Sequence, residues 1–546
     1  MSEEHFLWNP PAHYNFARDC VERLATENGN ARALLWLDAD GRVVDLSFGD
    51  MDTRARRAAG VLAAAGVKRG DTVLILMGRE LEWWELMLGC MRLGVIASPG
   101  TVQLMPKDIA YRVKAAAARC IVAGEDVAGR VDEAFEGWEG AKIYIGGKRE
   151  GWIDYRDVIA SAEPLEACAD TAFDEPALCY FTSGTTGQPK MTVHGAGYGL
   201  AHEITGRFWL DLGPGDLMWN LSDTGWAKAA WSSLFAPWLR GAGMMAYHAP
   251  GFDPEAVLEL LARFPVTTLC APPTAYRMFV RSDLSKFSPA SLRHCVSAGE
   301  PLNPEVIELW KGATNLVVND GYGQTETIVL CCNRPGAARQ GAMGKPVPGI
   351  QLAIIDGLGD RLPAGEEGDV AVRVAEGRPP GLFLGYRDDP ERTASVFRNG
   401  WYLTGDRAMT DEDGFFWFVG RGDDVILTSG YRIGPFEVES ALFEHPAVAE
   451  SAVVASPDPT RGEVVKAFVV LASGYEPSSE LIAALQDHVK ATTAPYKYPR
   501  KVEFVTSLPK TISGKIRRKE LRDAEWQGDG HPNMNPRLPV QDKFNA

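Results

Sequence analysis

Short, uniformly apolar runs alternate with helix-like stretches in two separate parts of the chain, and this limits the fold more than any other feature. Thr53 to Gly66 reads as an Ala-rich helix closed by glycine, Thr72 to Met77 as a buried strand, Glu82 to Leu93 as a helix and Val95 to Pro99 as a strand. The pattern returns with strands at Leu217–Asn220, Thr267–Ala271 and Leu316–Val318. Helices near Pro254–Phe264 and Pro304–Trp310 separate them. Apolar strands joined through helices predict parallel sheets covered on both faces. From about residue 345 short alternating runs, Gln351–Ile355 and Gly368–Val374, lie between Gly- and Pro-rich turns, which predicts a β-rich subdomain. A boundary near Gly420–Asp424 precedes helices Glu437–Glu444 and Ser479–Lys490 and strands Glu450–Ala455 and Val464–Leu471. The expected class is α/β. A large N-terminal domain of parallel α/β subdomains plus a β-rich subdomain (1–422, the latter about 345–422) precedes a small α+β C-terminal domain (423–525) and an irregular polar tail (526–546).

The 546 residues carry 56 Lys+Arg against 72 Asp+Glu, a net charge of −16. Such acidity argues against a nucleic-acid surface, which needs a basic stripe, and leaves room for a local anion pocket. Nine cysteines without a Cys-x-x-Cys fit neither a disulfide framework nor a zinc cluster, so the adjacent Cys331 and Cys332 read as small apolar packing groups. The N-terminus has no basic region followed by an apolar one, and no run approaches the ~18 apolar residues of a membrane span. The expectation is a soluble, cytoplasmic protein with no membrane partner.

The most informative segment runs from Tyr180 to Lys190, with Thr182, Ser183, Gly184, Thr185, Thr186 and Gly187 followed by Gln188, Pro189 and Lys190. Glycines let the backbone approach an anion, hydroxyls add donors and the lysine adds charge, a combination suited to nucleotide phosphates. The spacing is not that of the Walker loop, which needs Gly-x-x-x-x-Gly-Lys. The string resembles the signature loop of the adenylate-forming superfamily, which includes acyl-CoA synthetases, luciferases and adenylation domains. Downstream segments follow in that family's order. Ser297 to Pro301 is similar to its adenine-pocket loop, giving Gly299, Glu300 and Pro301. Asp320, Gly321, Tyr322, Gly323, Gln324, Thr325 and Glu326 are similar to its second core motif. The resemblance implies that Tyr322 stacks on adenine, Thr325 meets the α-phosphate and Glu326 holds Mg²⁺. It also implies that Asp406, in Tyr402–Asp406, grips the ribose with Arg421.

The same resemblance makes Asp423 the hinge about which a mobile C-terminal lid rotates, and Lys515, ending Leu508–Lys515, the catalytic lysine of the first step. Ser429, Gly430, Tyr431 and Arg432 would line a pantetheine tunnel. Arg461, Lys490, Tyr498 and Arg500 would meet the nucleotide end of coenzyme A. Gly323 stands where acetate-specific relatives have an aromatic residue, so an open acyl pocket is expected, walled by Trp226 and Trp231. The chain looks most like the medium-chain acyl-CoA synthetases. The implied reaction is carboxylic acid plus ATP plus coenzyme A giving acyl-CoA, AMP and pyrophosphate, on medium-chain or branched fatty acids. The alternatives are an aryl-acid ligase, an adenylation enzyme loading a carrier protein, and a non-catalytic nucleotide binder. The partners expected are small molecules, with the protein a monomer or a homodimer.

Overall fold

The computed structural model describes residues 8–135, 137–182, 189–289, 291–428, 431–510 and 515–527. Ser183, Gly184, Thr185, Thr186, Gly187, Ser429 and Gly430 lie outside the described residues.

Four sheets organise the chain. A nine-stranded sheet has at its centre six parallel strands, among them Leu217–Asn220, Thr268–Ala271, His294–Ala298 and Val318–Gly323. An eight-stranded sheet is built on Thr72–Leu76, which pairs in parallel with Ile96–Gly100 on one side and Ala118–Ala123 on the other. All residues of Thr72–Leu76 and Ile96–Gly100 are buried, as an unbroken apolar run requires. Helices Phe48–Ala64 and Glu82–Leu93 cover the second sheet; in the latter, ten of twelve residues are buried. Both sheets are mixed at their edges, where antiparallel strands close them.

An antiparallel sheet containing Leu352–Ile355, Gly368–Arg373, Trp401–Thr410 and Phe416–Arg421 forms the β-rich layer. The C-terminal sheet has its own core of Ile426, Val438, Leu442, Val453, Ala467 and Leu485 beneath helices Pro435–Phe443 and Ser479–Thr492. The large N-terminal and small C-terminal domains of the α/β expectation are therefore present.

The tail expectation is corrected at its start. Residues 526 and 527 end a helix, Arg518–Gln527, too charged to read as one from apolar periodicity. Ion pairs fix it instead: Arg518 to Glu439, Arg522 to Asp424 and Glu525 to the buried Lys466. Eight of the nine cysteines are buried, where they pack as small apolar groups. Among the described residues no helix is long and apolar enough to cross a membrane.

Candidate active site

Parallel strands leave a crevice at their carboxyl ends, and two of them deliver the site. His294–Ala298 and Val318–Gly323 run side by side, with Ser297 opposite Asp320 and Ala298 opposite Gly321. The first ends at Gly299, whose φ of +113° is a turn conformation that L side chains rarely adopt. The second continues into Gln324, Thr325 and Glu326. Thr182 and Lys190 stand opposite each other in the antiparallel pair of strands Pro176–Thr182 and Lys190–Gly195. Tyr111 donates to the Pro189 carbonyl at 2.9 Å.

Asp406 is the polar centre of the site. Its register opposite Arg421 puts the guanidinium Nε 3.3 Å from Oδ1. The Tyr322 hydroxyl donates to Oδ2 at 2.6 Å and the Gln324 amide at 2.7 Å. Tyr402 donates to the other end of Gln324 at 3.1 Å, which fixes the amide orientation. Burial raises the Asp406 pKa, and Arg421 and Tyr322 oppose it. Glu326 accepts from Tyr386 at 2.8 Å, and Lys190 lies over the same ring at 4.9 Å. The His194 ring nitrogen Nε2 meets the Thr325 carbonyl at 2.7 Å.

These groups line one cleft of about 1320 Å³. Thr182, Lys190, Gly299, Glu300, Pro301, Asp320, Gly321, Tyr322, Gly323, Gln324, Thr325, Glu326, Asp406, Arg421 and Asp423 all contribute to its walls. Lys515 enters it from the C-terminal domain. The Lys515 side chain is open to the cleft yet walled in by protein, and this desolvation lowers its ammonium pKa. The Glu300 carboxylate opposes that shift. Arg281 donating to the Ala449 carbonyl at 2.7 Å and Asn303 donating to Ser440 at 3.1 Å hold the two domains in this pose.

Among the described residues, Trp226 and the coenzyme A candidates Tyr431, Arg432, Arg461, Lys490, Tyr498 and Arg500 do not line the cleft. Lys490, Tyr498 and Arg500 gather on the C-terminal domain, with both cations over the Tyr498 ring at 4.4 and 4.9 Å. Tyr431 stacks on Tyr496 with ring centres 4.2 Å apart, leading into Arg432 on the exposed strand Tyr431–Ile433. Arg461 sits in a turn where its backbone N–H donates to Asp458.

The expectation that Gly323 leaves open space is corrected. A Cβ there would stand 2.4 Å from the Ile328 carbonyl oxygen and 3.0 Å from the Trp231 ring. Glycine is needed for this close approach, and Trp231 already fills the neighbouring volume. Sequence reasoning also missed Tyr386, His194, Arg277 and Lys228. Arg277 pairs with Glu300 at 2.9 Å, and Lys228 donates to the Ala298 carbonyl at 2.7 Å. Burial lowers the Lys228 pKa.

Asp320 gives a prediction of its own. Burial pushes its carboxyl up to about 8, and Oδ1 has no hydrogen-bond partner. A raised carboxyl favours the folded state at low pH. Its contribution declines as pH rises from the unfolded value near 4 through the folded value. Asp320→Asn removes that slope, so its stability relative to the parent should rise by roughly 2 kcal/mol between pH 6 and pH 8. Denaturant melts at the two pH values check this. Equal differences at both would mean that Asp320 is ionised throughout.

A lysine from the C-terminal domain thus shares one cleft with the Glu326 and Asp406 carboxylates, Arg421 and Tyr322, an arrangement suited to charged, phosphate-bearing substrates. The AMP-binding enzyme family matches residues 21–387, and its C-terminal domain matches residues 437–515. The chain is 49% identical to the mitochondrial acyl-coenzyme A synthetase ACSM3 of Rattus norvegicus over 94% of this chain and 91% of that one. It is 50% identical to the mitochondrial acyl-coenzyme A synthetase ACSM4 of Mus musculus, again over 94% and 91%. Among solved structures, an anthranilate CoA ligase, AuaEII, in complex with anthranoyl-AMP superposes with a TM-score of 0.87 at 32% identity, covering 97% of this chain and 99% of that one. The chain belongs to the AMP-binding enzyme family and, within it, to the acyl-coenzyme A synthetases. Such an enzyme joins a carboxylic acid to coenzyme A, driven by ATP, so its partners are these small molecules.

The cytoplasmic expectation is overturned by these relatives, which are mitochondrial enzymes. Free buried thiols report a reducing environment, and composition of that kind does not distinguish one reducing compartment from another.

Proposed function

We propose that the chain activates medium-chain or branched fatty acids as acyl-adenylates and then transfers the acyl group to coenzyme A. One juxtaposition supports the chemistry: Lys515 from the C-terminal domain lines the same cleft as Glu326, Asp406 and Arg421. In the first step the acid's carboxylate attacks the α-phosphorus of ATP and pyrophosphate leaves. Lys515 offsets negative charge as it builds on the α-phosphate, and Thr325 donates to that phosphate. Tyr322 presents its face to adenine, Asp320 lies in the wall beside it, and Asp406 with Arg421 holds the ribose.

Glu326 is the group that would hold Mg²⁺. Magnesium is bound mainly through substrate phosphates plus one or two carboxylates, so a single glutamate oriented by Tyr386 suits it. When bound, Mg²⁺ neutralises charge on the phosphate oxygens.

The second step needs another pose. We divide the chain at Asp423, with 1–422 as the body and 423–525 as a lid that rotates about it. In the pose described, Lys490, Tyr498 and Arg500 lie away from the cleft, and rotation brings this basic face to the nucleotide of coenzyme A. Arg500→Ala should raise the KM for coenzyme A by about tenfold or more, the value of one charged hydrogen bond, and leave acid-dependent ATP–pyrophosphate exchange unchanged. Equal loss in exchange would place Arg500 in the first step instead.

The aryl-acid reading keeps one observation in its favour, the anthranoyl-AMP held by the structural relative. The test is acyl-adenylate formation without coenzyme A, and acyl-CoA formation with it, from C2–C12 acids, benzoate and anthranilate. A C6–C10 maximum supports the proposal, and an aromatic maximum replaces it. Adenylate formation with no thioester product would favour a carrier-loading enzyme. The protein has no nucleic-acid or membrane partner in this reading, and gel filtration decides between monomer and homodimer.

A further inference from the structure

Asn303 occupies the N-cap of helix Pro304–Thr314, where an Asn side chain ordinarily accepts from the first backbone N–H groups, yet here it does not cap the helix. It is 5% exposed, and both ends of its amide are engaged elsewhere. Its Oδ1 accepts from Arg277 Nε at 3.2 Å, and its Nδ2 donates across the domain boundary to the Ser440 hydroxyl at 3.1 Å. The same Arg277 guanidinium donates from Nη1 to Glu300 Oε1 at 2.9 Å. One fork on helix Pro273–Phe279 therefore fixes both Glu300 and Asn303 in the turn that follows strand His294–Ala298. On the C-terminal domain, Glu439 is the neighbour of Ser440 on helix Pro435–Phe443. It accepts two hydrogen bonds from Arg518, at 2.9 and 2.6 Å, and Arg518 stands just beyond Lys515 in the chain. Polar contacts thus run from Glu300 through Arg277 and Asn303 to this helix, and from the helix through Arg518 to the segment that carries Lys515. Glu300, Arg277 and Lys515 all line the cleft.

We infer that Arg277 is a positioning residue of the first half-reaction: it sets Glu300 as the counter-charge of Lys515 and ties that carboxylate, through Asn303, to the docked C-terminal domain. The inference rests on the adenylation reading given above. A guanidinium suits the task because its planar fork holds two acceptors in a fixed geometry, which an ammonium on a flexible stem does not. A carboxylate left free to rotate would spend its charge on water. The charged groups that face Lys515 are Glu300 and Asp406, which favour its ammonium form, and Arg421 and Lys228, which oppose it. Arg277 and Arg518 in turn face Glu300. Glu300 is the stronger of the two favourable partners, so without its charge the ammonium should lose its proton at lower pH. Rotation into the second pose would break the Asn303–Ser440 contact and carry Lys515 away from Glu300, which confines the device to the first step.

The test is acid-dependent ATP–pyrophosphate exchange by the full chain from about pH 6.5 to 9.5, with thioester formation from supplied acyl-adenylate measured alongside. Arg277→Ala should lower kcat for exchange by about tenfold or more, the value of one charged hydrogen bond, and leave the KM for ATP and the thioester step nearly unchanged. Ser440→Ala should reduce exchange by about two- to tenfold, the range of a neutral hydrogen bond. Its effect should shrink once Arg277 is already alanine, because the two act along one path. Glu300→Gln should move the basic limb of the exchange profile to lower pH, a change that a purely structural role would not produce. Glutamine matches glutamate in size, so this variant carries the test if Arg277→Ala does not fold. An unmoved basic limb in Glu300→Gln, equal losses in both half-reactions for Arg277→Ala, or additive effects of Arg277→Ala and Ser440→Ala would overturn the inference. A parent that shows no acid-dependent exchange would remove the adenylation reading instead, a result distinct from each of these.

Discussion

Replacing Lys515 with alanine should reduce acid-dependent ATP–pyrophosphate exchange by about 10²–10³-fold, the effect of losing one preorganised charge donor at a developing oxyanion. Lys515 reaches the cleft from the C-terminal domain, and the cleft walls strip water from its ammonium. That loss of water lowers its pKa, while the Glu300 and Asp406 carboxylates favour the charged form. A desolvated ammonium among partly compensating charges acts more strongly on a new negative charge than one in bulk water. Thioester formation from supplied acyl-adenylate should survive, because the second step uses a pose from which Lys515 has withdrawn. The measurement is the ratio of the two half-reactions. Equal loss in both would show that one pose serves both steps and that Asp423 is not the pivot between two of them.

The parallel strands were legible because burial on both faces makes them uniformly apolar, and Thr72–Leu76 was read to within a residue. The strand Arg32–Asp38 was not read. It pairs with Val43–Ser47 in a local hairpin, but its other partner, with Leu34 opposite Met244, lies about two hundred residues away, and local periodicity carries no record of that. Helix Arg518–Gln527 was missed for the opposite reason, since it has no apolar stripe: ion pairs and the single buried Leu521 hold it to the sheet.

The site followed the same division. Residues clustered in short strings, such as Asp320 to Glu326, were legible together and line the cleft together. Tyr386, His194, Arg277 and Lys228 act singly, each on a different element, and no spacing marks them. The volume behind Gly323 could not be read at all. Whether a glycine leaves a pocket or admits a neighbour depends on what stands across from it, here Trp231 and the Ile328 carbonyl.

Asp406→Asn should raise the KM for ATP and lower kcat/KM by about 10²–10⁴-fold. Two hydroxyls bound by a carboxylate are worth roughly 1.5–3 kcal/mol each, and every ~1.4 kcal/mol is a factor of ten. An amide presents one acceptor where the carboxylate presents two. It also turns a donor toward Arg421, the ion-pair partner of Asp406, or toward Tyr322 or Gln324, which already donate to it. The cost to folding runs the other way. Burial raises the Asp406 pKa, so the folded chain holds the ionised form at a disadvantage that grows as pH rises above the unfolded carboxyl value. The asparagine variant carries no such slope, and its melting temperature relative to the parent should be higher at pH 8 than at about pH 4, the unfolded carboxyl value. Isothermal titration with ATP and thermal melts at both pH values read the two effects independently. Weak nucleotide binding in a protein at least as stable as the parent at pH 8 identifies Asp406 as a ribose acceptor maintained against the preference of the fold. Unchanged nucleotide affinity would mean that the tyrosine, glutamine and arginine around Asp406 serve only to brace the β-rich layer against the cleft.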